Sequence, residues 1–135
     1  MYKNILVPIA LDHERDTGAA MDIAHRLLAE GGKITALYVS EALPSYVSQY
    51  MSEDQVENRY GEDVAALKAE IGGVKDVHPV VVTGHSGRSI VEYAEDNGCD
   101  CIIIASHKPG LQDYFLGSTA ARVVRHAHCA VHVTR

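Results

Sequence analysis

No run of about eighteen apolar residues occurs anywhere in the 135-residue chain, so no segment is long enough to cross a bilayer as a helix. The start, Met1-Tyr2-Lys3-Asn4-Ile5-Leu6-Val7-Pro8, lacks the long apolar stretch and small-residue cleavage site of a secretory leader, and a cytoplasmic location is the expectation. Basic residues are too few for a nucleic-acid partner: twelve Lys and Arg face eighteen Asp and Glu, a formal charge of −6, and no stretch concentrates the cations. Cysteine is scarce and odd in number. Cys99, Cys101 and Cys129 do not suggest a disulfide framework in a chain of this size; they read as reduced thiols near strands. There is no internal repeat, linker or low-complexity tract.

What the chain does have is the composition of one globular unit. Its 47% hydrophobic and 22% charged residues are ordinary, and 135 residues bury an adequate core unaided, so residues 1–135 are read as a single domain. Five short apolar runs read as strands: Ile5–Ile9, Ile34–Val39, Val77–Thr83, Cys101–Ala105 and Cys129–Thr134. Four segments between them carry helical spacing. Ala19 to Leu28 is the first, with Gly31-Gly32 as its expected stop; Val56 to Ile71 ends at Gly72-Gly73; Ile90 to Ala94 ends near Gly98; the last covers about Ser118 to His126. The long connection from Ser40 to Ser52, with Pro44, Tyr46 and Tyr50, is a candidate flap.

Alternating strands and helices, with strands apolar along most of their length, indicate an α/β fold with helices on both faces of a parallel sheet. Right-handed crossovers favour an open doubly wound sheet, and the expected strand order is 3-2-1-4-5. A ligand crevice then lies at the carboxyl ends of the first and fourth strands, which places the loops Pro8 to His13 and Ser106 to Leu116 beside it. The second loop leads into Gly117-Ser118-Thr119 and a helix. Free N–H groups and the positive end of the helix dipole meet there, which suits an anion. The plainer reading keeps Ser118 as a helix cap and Gly117 as a turn residue.

Other motifs fail on spacing. No glycine triplet follows the first strand and there is no Gly-Lys-Ser/Thr, so the dinucleotide fingerprint and the P-loop are both missing. Gly84-His85-Ser86-Gly87 is one glycine short of a nucleophile elbow, since Arg88 stands where it is needed; a capping role for Ser86 is the expectation. His126, His128, Cys129 and His132 form the most metal-like group, yet a strand would put Cys129 on the face opposite His128 and His132. Glu53, Asp54 and Glu57 read as a solvated face near a helix start.

Taken together, Ile5-Leu6-Val7-Pro8-Ile9, Ile102-Ile103-Ile104-Ala105-Ser106-His107, Leu116-Gly117-Ser118 and Val124 to Val133 give the chain its resemblance to the universal stress protein family. The resemblance spans the whole length and is most specific in the last third. It implies a Rossmann-like five-stranded sheet and, in the nucleotide-binding branch, ATP, AMP or ADP as ligand, with Mg²⁺ as an optional companion. It also implies a homodimer joined through the last strand, residues 130–134, and a regulatory role without catalytic residues. Nucleic acid and membrane are not expected partners.

Carried over residue by residue, the resemblance puts Pro8, Ile9 and Ala10 around the nucleoside, the backbone at Val39 against adenine, and Ala105, Ser106, His107 and Lys108 at the phosphates with Gly117, Ser118 and Thr119. Several positions depart from the family pattern. Ala105 and Lys108 stand for its two glycines, only eight residues separate Lys108 from Gly117 where nine are usual, and Ala10 replaces an aspartate that contacts the nucleoside end. The Ser-His-Lys-Pro sequence at 106–109 resembles a bacterial subgroup with Ser-His-Arg-Pro. The resemblance leaves room for two other readings: a dimeric interaction module that has given up the ligand, and a slow ATPase or nucleotidyl transferase. For the last, no positioned general base or carboxylate pair is evident.

Overall fold

Ile5, Leu6 and Val7 are wholly buried, and the first strand, β1 (Tyr2–Pro8), accordingly lies in the middle of the sheet. The computed structural model describes residues 1–11, 17–72, 74, 76–106 and 116–135. β1 is followed by α1 (Thr17–Leu27), β2 (Leu28–Glu41), α2 (Ser45–Ser48), α3 (Glu53–Ile71), β3 (Val77–Gly84), α4 (Ser86–Asp96), β4 (Cys101–Ala105), α5 (Ser118–His126) and β5 (Ala130–Thr134). The five strands form one sheet in the order β3-β2-β1-β4-β5, all neighbours parallel, as expected.

Alternation along β1 divides the core in two. Ile5 and Val7 join Ile34, Ala36, Cys101 and Ile103 beneath α1 and α3, through Ala20, Met21, Ala24, Leu67 and Ile71. Leu6 faces the other way and joins Leu37, Ile102 and Ile104 beneath α4 and α5, through Ile90, Ala94, Ala120 and Val123. Both faces of the sheet are therefore dry, which explains why its strands read as apolar runs and not as alternating ones.

Two differences from the sequence reading have local causes. The helix before β2 stops at Leu27, short of Gly31-Gly32, because Leu28 already pairs with Tyr2. The register shifts between Tyr2 and Asn4, and Gly31 has φ 77° beside that irregularity. Gly32 passes so close to β1 that a Cβ would sit 3.0 Å from the Lys3 carbonyl oxygen. The two glycines thus serve the strand and not a helix cap. Secondly, the described residues hold five helices and not four, because Ser45–Ser48 forms a short turn of helix with Pro44 as its N-cap residue.

Where sequence punctuation is strong, boundaries follow it. Ser52 caps α3, accepting from the Gln55 N–H at 3.1 Å while the Ser52 N–H donates to Gln55 Oε1 at 2.9 Å, and Gly72 closes the helix at φ 68°. The β1–β4 pairing is short, and Asp100 reinforces it: its carboxylate accepts from the backbone N–H of Lys3 at 2.9 Å and of Asn4 at 3.0 Å.

The three cysteines are free; Cys99 and Cys101 are buried and Cys129 is half-buried. Burial is the main cause that pushes the thiols of Cys99 and Cys101 up to about 11, with the nearby Cys129 a further contribution. Their unfolded counterparts ionise near 9, so the unfolded chain loses protons first as pH rises. The thiols' contribution to stability is thus complete below about pH 9 and lost between about 9 and 11. Urea unfolding across this range should show a falling midpoint in the wild type and a shallower fall in Cys99→Ala/Cys101→Ala.

Candidate functional site

β1 has β2 on one side and β4 on the other, so the winding of the chain reverses at its carboxyl end and the connections leave on opposite sides. A cleft of about 460 Å³ opens there, floored by Pro8, Ile9 and Ala10 and walled by the ends of β2 and β4 and the start of α5. Nine of the residues selected from sequence line it: Pro8, Ile9, Ala10, Val39, Ala105, Ser106, Gly117, Ser118 and Thr119. His107 and Lys108 lie outside the described residues. Of the flap expected from Ser40 to Ser52, only Glu41 reaches this lining; Ser40, Leu43, Ser48 and Met51 instead line a separate hollow against Val56 and Tyr60 of α3.

One end of the cleft is built by the turn into α5. Gly117 is the N-cap residue, with no side-chain cap, and the first helical bond runs from the Ala121 N–H to the Gly117 carbonyl at 2.8 Å. The N–H groups of Ser118, Thr119 and Ala120 therefore have no acceptor inside the helix, and all three residues border the cleft. Ser118 is the first helical residue, so it is not the cap that the plainer sequence reading made it. Its hydroxyl is exposed, and that of Thr119 is half-buried beside it.

Glycine at 117 answers a contact and not a dihedral. Its φ of −56° suits any residue, but its N–H donates to the Ser106 carbonyl at 2.6 Å, and an added Cβ would lie 2.7 Å from that same oxygen. Ser106 in turn donates its backbone N–H to the Thr134 carbonyl at 2.9 Å, so the turn is fastened to the last strand of the sheet.

The lining also holds residues that the sequence reading missed, among them Leu11, Thr17, Tyr38, Glu41, Ser86 and Ile90. Burial, more than the neighbouring Asp63, raises the Tyr38 phenol above its usual range, which keeps it neutral. Ser86 does not cap α4; His85 is the N-cap, and the Ser86 hydroxyl donates to Glu41 Oε1 at 2.5 Å. Glu41 is the only acidic side chain among the described residues of the lining. Its position at the carboxyl end of β2, next to β1, is the signal that could have found it, since acidic residues there meet the sugar in open α/β sheets.

Among the described residues no group of three or more His, Cys, Asp or Glu is placed to hold a metal ion. His128 instead stands 3.6 Å from Glu95 at the surface. No helix among these residues is long and apolar enough to cross a membrane.

Gly117→Ala should lower stability by about 1–3 kcal/mol, because the new Cβ must push the Ser106 carbonyl aside. Ser118→Ala, which removes an exposed hydroxyl that caps nothing, should stay within about 0.5 kcal/mol of wild type. Urea denaturation of the two variants checks the contrast.

The universal stress protein family model matches residues 1–135. Universal stress protein MJ0531 of Methanocaldococcus jannaschii is 31% identical in an alignment covering all of this chain and 83% of that protein. Among solved structures, hypothetical protein MJ0577, whose biochemical function was assigned on structural grounds, has a TM-score of 0.73 at 28% identity, over 99% of this chain and 96% of that one. A universal stress protein in complex with cAMP has a TM-score of 0.71 at 19% identity, with 99% of this chain and 97% of that chain covered. One from Archaeoglobus fulgidus in complex with dAMP has a TM-score of 0.59 at 15% identity, with 99% and 98% covered. With its sheet order, its whole-length family match and these relatives in agreement, the chain belongs to the universal stress protein family.

Proposed function

We propose that the protein is an adenine-nucleotide-binding regulator of the stress response, taking AMP, ADP or ATP in the cleft at the ends of β1 and β4. The observation that carries this reading is the uncapped start of α5: three N–H groups without helical acceptors, at one end of a cleft large enough for a nucleotide. The cAMP and dAMP complexes of its structural relatives support the choice of an adenine nucleotide. In this reading the phosphate rests on Ser118 and Thr119, with Ser106, His107 and Lys108 on the adjoining loop. The nucleoside then extends over Pro8, Ile9 and Ala10 toward the Val39 backbone, with Ala105 on the phosphate side. Mg²⁺ accompanies a triphosphate, and the ligand alters a surface read by a cytoplasmic partner.

The proposed assembly is a homodimer through β5. Among the described residues that strand pairs only with β4 and ends the sheet, and Ala130 and His132 on it are exposed. An unpaired edge of this kind accepts a second strand readily.

One observation favours the alternative, an interaction module without a ligand: Ala10 faces the cleft where an aspartate contacts the nucleoside in the family pattern. Calorimetry separates the two. Titration of AMP, or ATP with Mg²⁺, into the folded protein at high micromolar concentration should give saturable heat, weakened about tenfold by Ser118→Ala/Thr119→Ala. A flat titration would overturn the nucleotide reading. Because the chain has no tryptophan, co-purified nucleotide should also stand out in absorbance near 260 nm.

A further inference from the structure

Two helix N-termini meet at the rim of the cleft, and they are not equivalent. α4 and α5 pack side by side; Gly87 approaches α5 so closely that a Cβ would lie 2.8 Å from the Arg122 side chain. Each helix begins on the rim, α4 with Ser86 and α5 with Ser118, and neither has a side-chain cap on its N-cap residue. Each would present the positive end of its dipole to a ligand. At α4, however, the chain supplies its own anion: the Glu41 carboxylate, held at 2.5 Å by the Ser86 hydroxyl. Its backbone is fixed as well, since the Glu41 carbonyl accepts from Arg59 Nη2 at 3.0 Å.

From this asymmetry we infer that Glu41 is a specificity-determining residue, which makes the cleft select nucleotides with a single phosphate-bearing end and reject those with a second phosphate on the ribose. The inference rests on the nucleotide reading of the cleft. β2 and β4 flank β1, so the Glu41 end and the α5 end are separated by roughly two strand spacings, about 10 Å. With the 5′-phosphate on the start of α5, the nucleoside has to extend across β1 toward the end of β2, where Val39 and Glu41 line the wall. A carboxylate there accepts hydrogen bonds from sugar hydroxyls and repels an anion at the same place. Glu41 is the sole charged side chain among the described lining residues; Arg59, hydrogen-bonded to the Glu41 carbonyl, is not one of them.

The test compares AMP with adenosine 2′,5′-bisphosphate and adenosine 3′,5′-bisphosphate by calorimetry on wild type, Glu41→Gln and Ser86→Ala. Wild type should prefer AMP over both bisphosphates by about tenfold. Glu41→Gln removes the charge and leaves an uncapped α4 start, so the preference should vanish or reverse. Ser86→Ala keeps the carboxylate and should retain the preference, which separates charge from general disturbance of the rim. A preference that survives Glu41→Gln, or its absence in wild type that binds AMP, would overturn the role of Glu41 alone. Failure of folded wild type to bind AMP would overturn the nucleotide reading, and this inference with it.

Discussion

Everything that positions the cleft depends on the burial of β1 between β2 and β4. Ile5, Leu6 and Val7 send side chains to both faces of the sheet, so β1 is stable only with neighbours on both edges and helices above and below. The chain can satisfy this in a parallel sheet only by winding first one way and then the other. At the reversal no crossover covers the strand ends, and that uncovered space is the site. The Asp100 clamp on Lys3 and Asn4 matters for the same reason, because the ladder between β1 and β4 is the shorter of the two that hold β1.

The chemistry of the site comes mainly from backbone. Ser118, Thr119 and Ala120 supply N–H groups whose direction is fixed by α5, and α5 is fixed by Ala120 and Val123 in the core. Gly117 lets this turn press on the Ser106 carbonyl, and Ser106 is tied to β5. An anion seat made in this way needs no titratable group; among the described residues of the lining there are a neutral Tyr38 and a single carboxylate, Glu41. The cleft is thus polar at its ends and apolar along its floor, the arrangement expected of a small-molecule site.

How much of this was legible in the sequence varies with the range of the interactions involved. β4 and α5 have the bounds expected of them, because Gly98, Asp100 and Gly117 punctuate the chain locally. The start of β2 was not legible, since it is decided by pairing of Leu28 with Tyr2 across the chain, and Gly31-Gly32 looks the same in a helix stop as in a strand irregularity. The short α2 had no apolar period to reveal it; Tyr46 and Tyr50 are both exposed. In the site, residues at the ends of β1 and β4 could be found because topology brings them together, and Val39 at the end of β2 through the family resemblance. The contact between Glu41 and Ser86 could not be found, as its members are 45 positions apart and no motif joins them. The family resemblance read from the last third of the chain held over its whole length.

The claim that the uncapped start of α5 is the anion seat of a nucleotide site is tested most directly by a crystal structure of the protein grown with AMP. The account predicts density in the cleft, with phosphate oxygens within hydrogen-bond distance of the Ser118 and Thr119 N–H groups and the nucleoside lying across β1 toward Val39. An AMP bound elsewhere, or bound in the cleft with its phosphate directed away from α5, would contradict it.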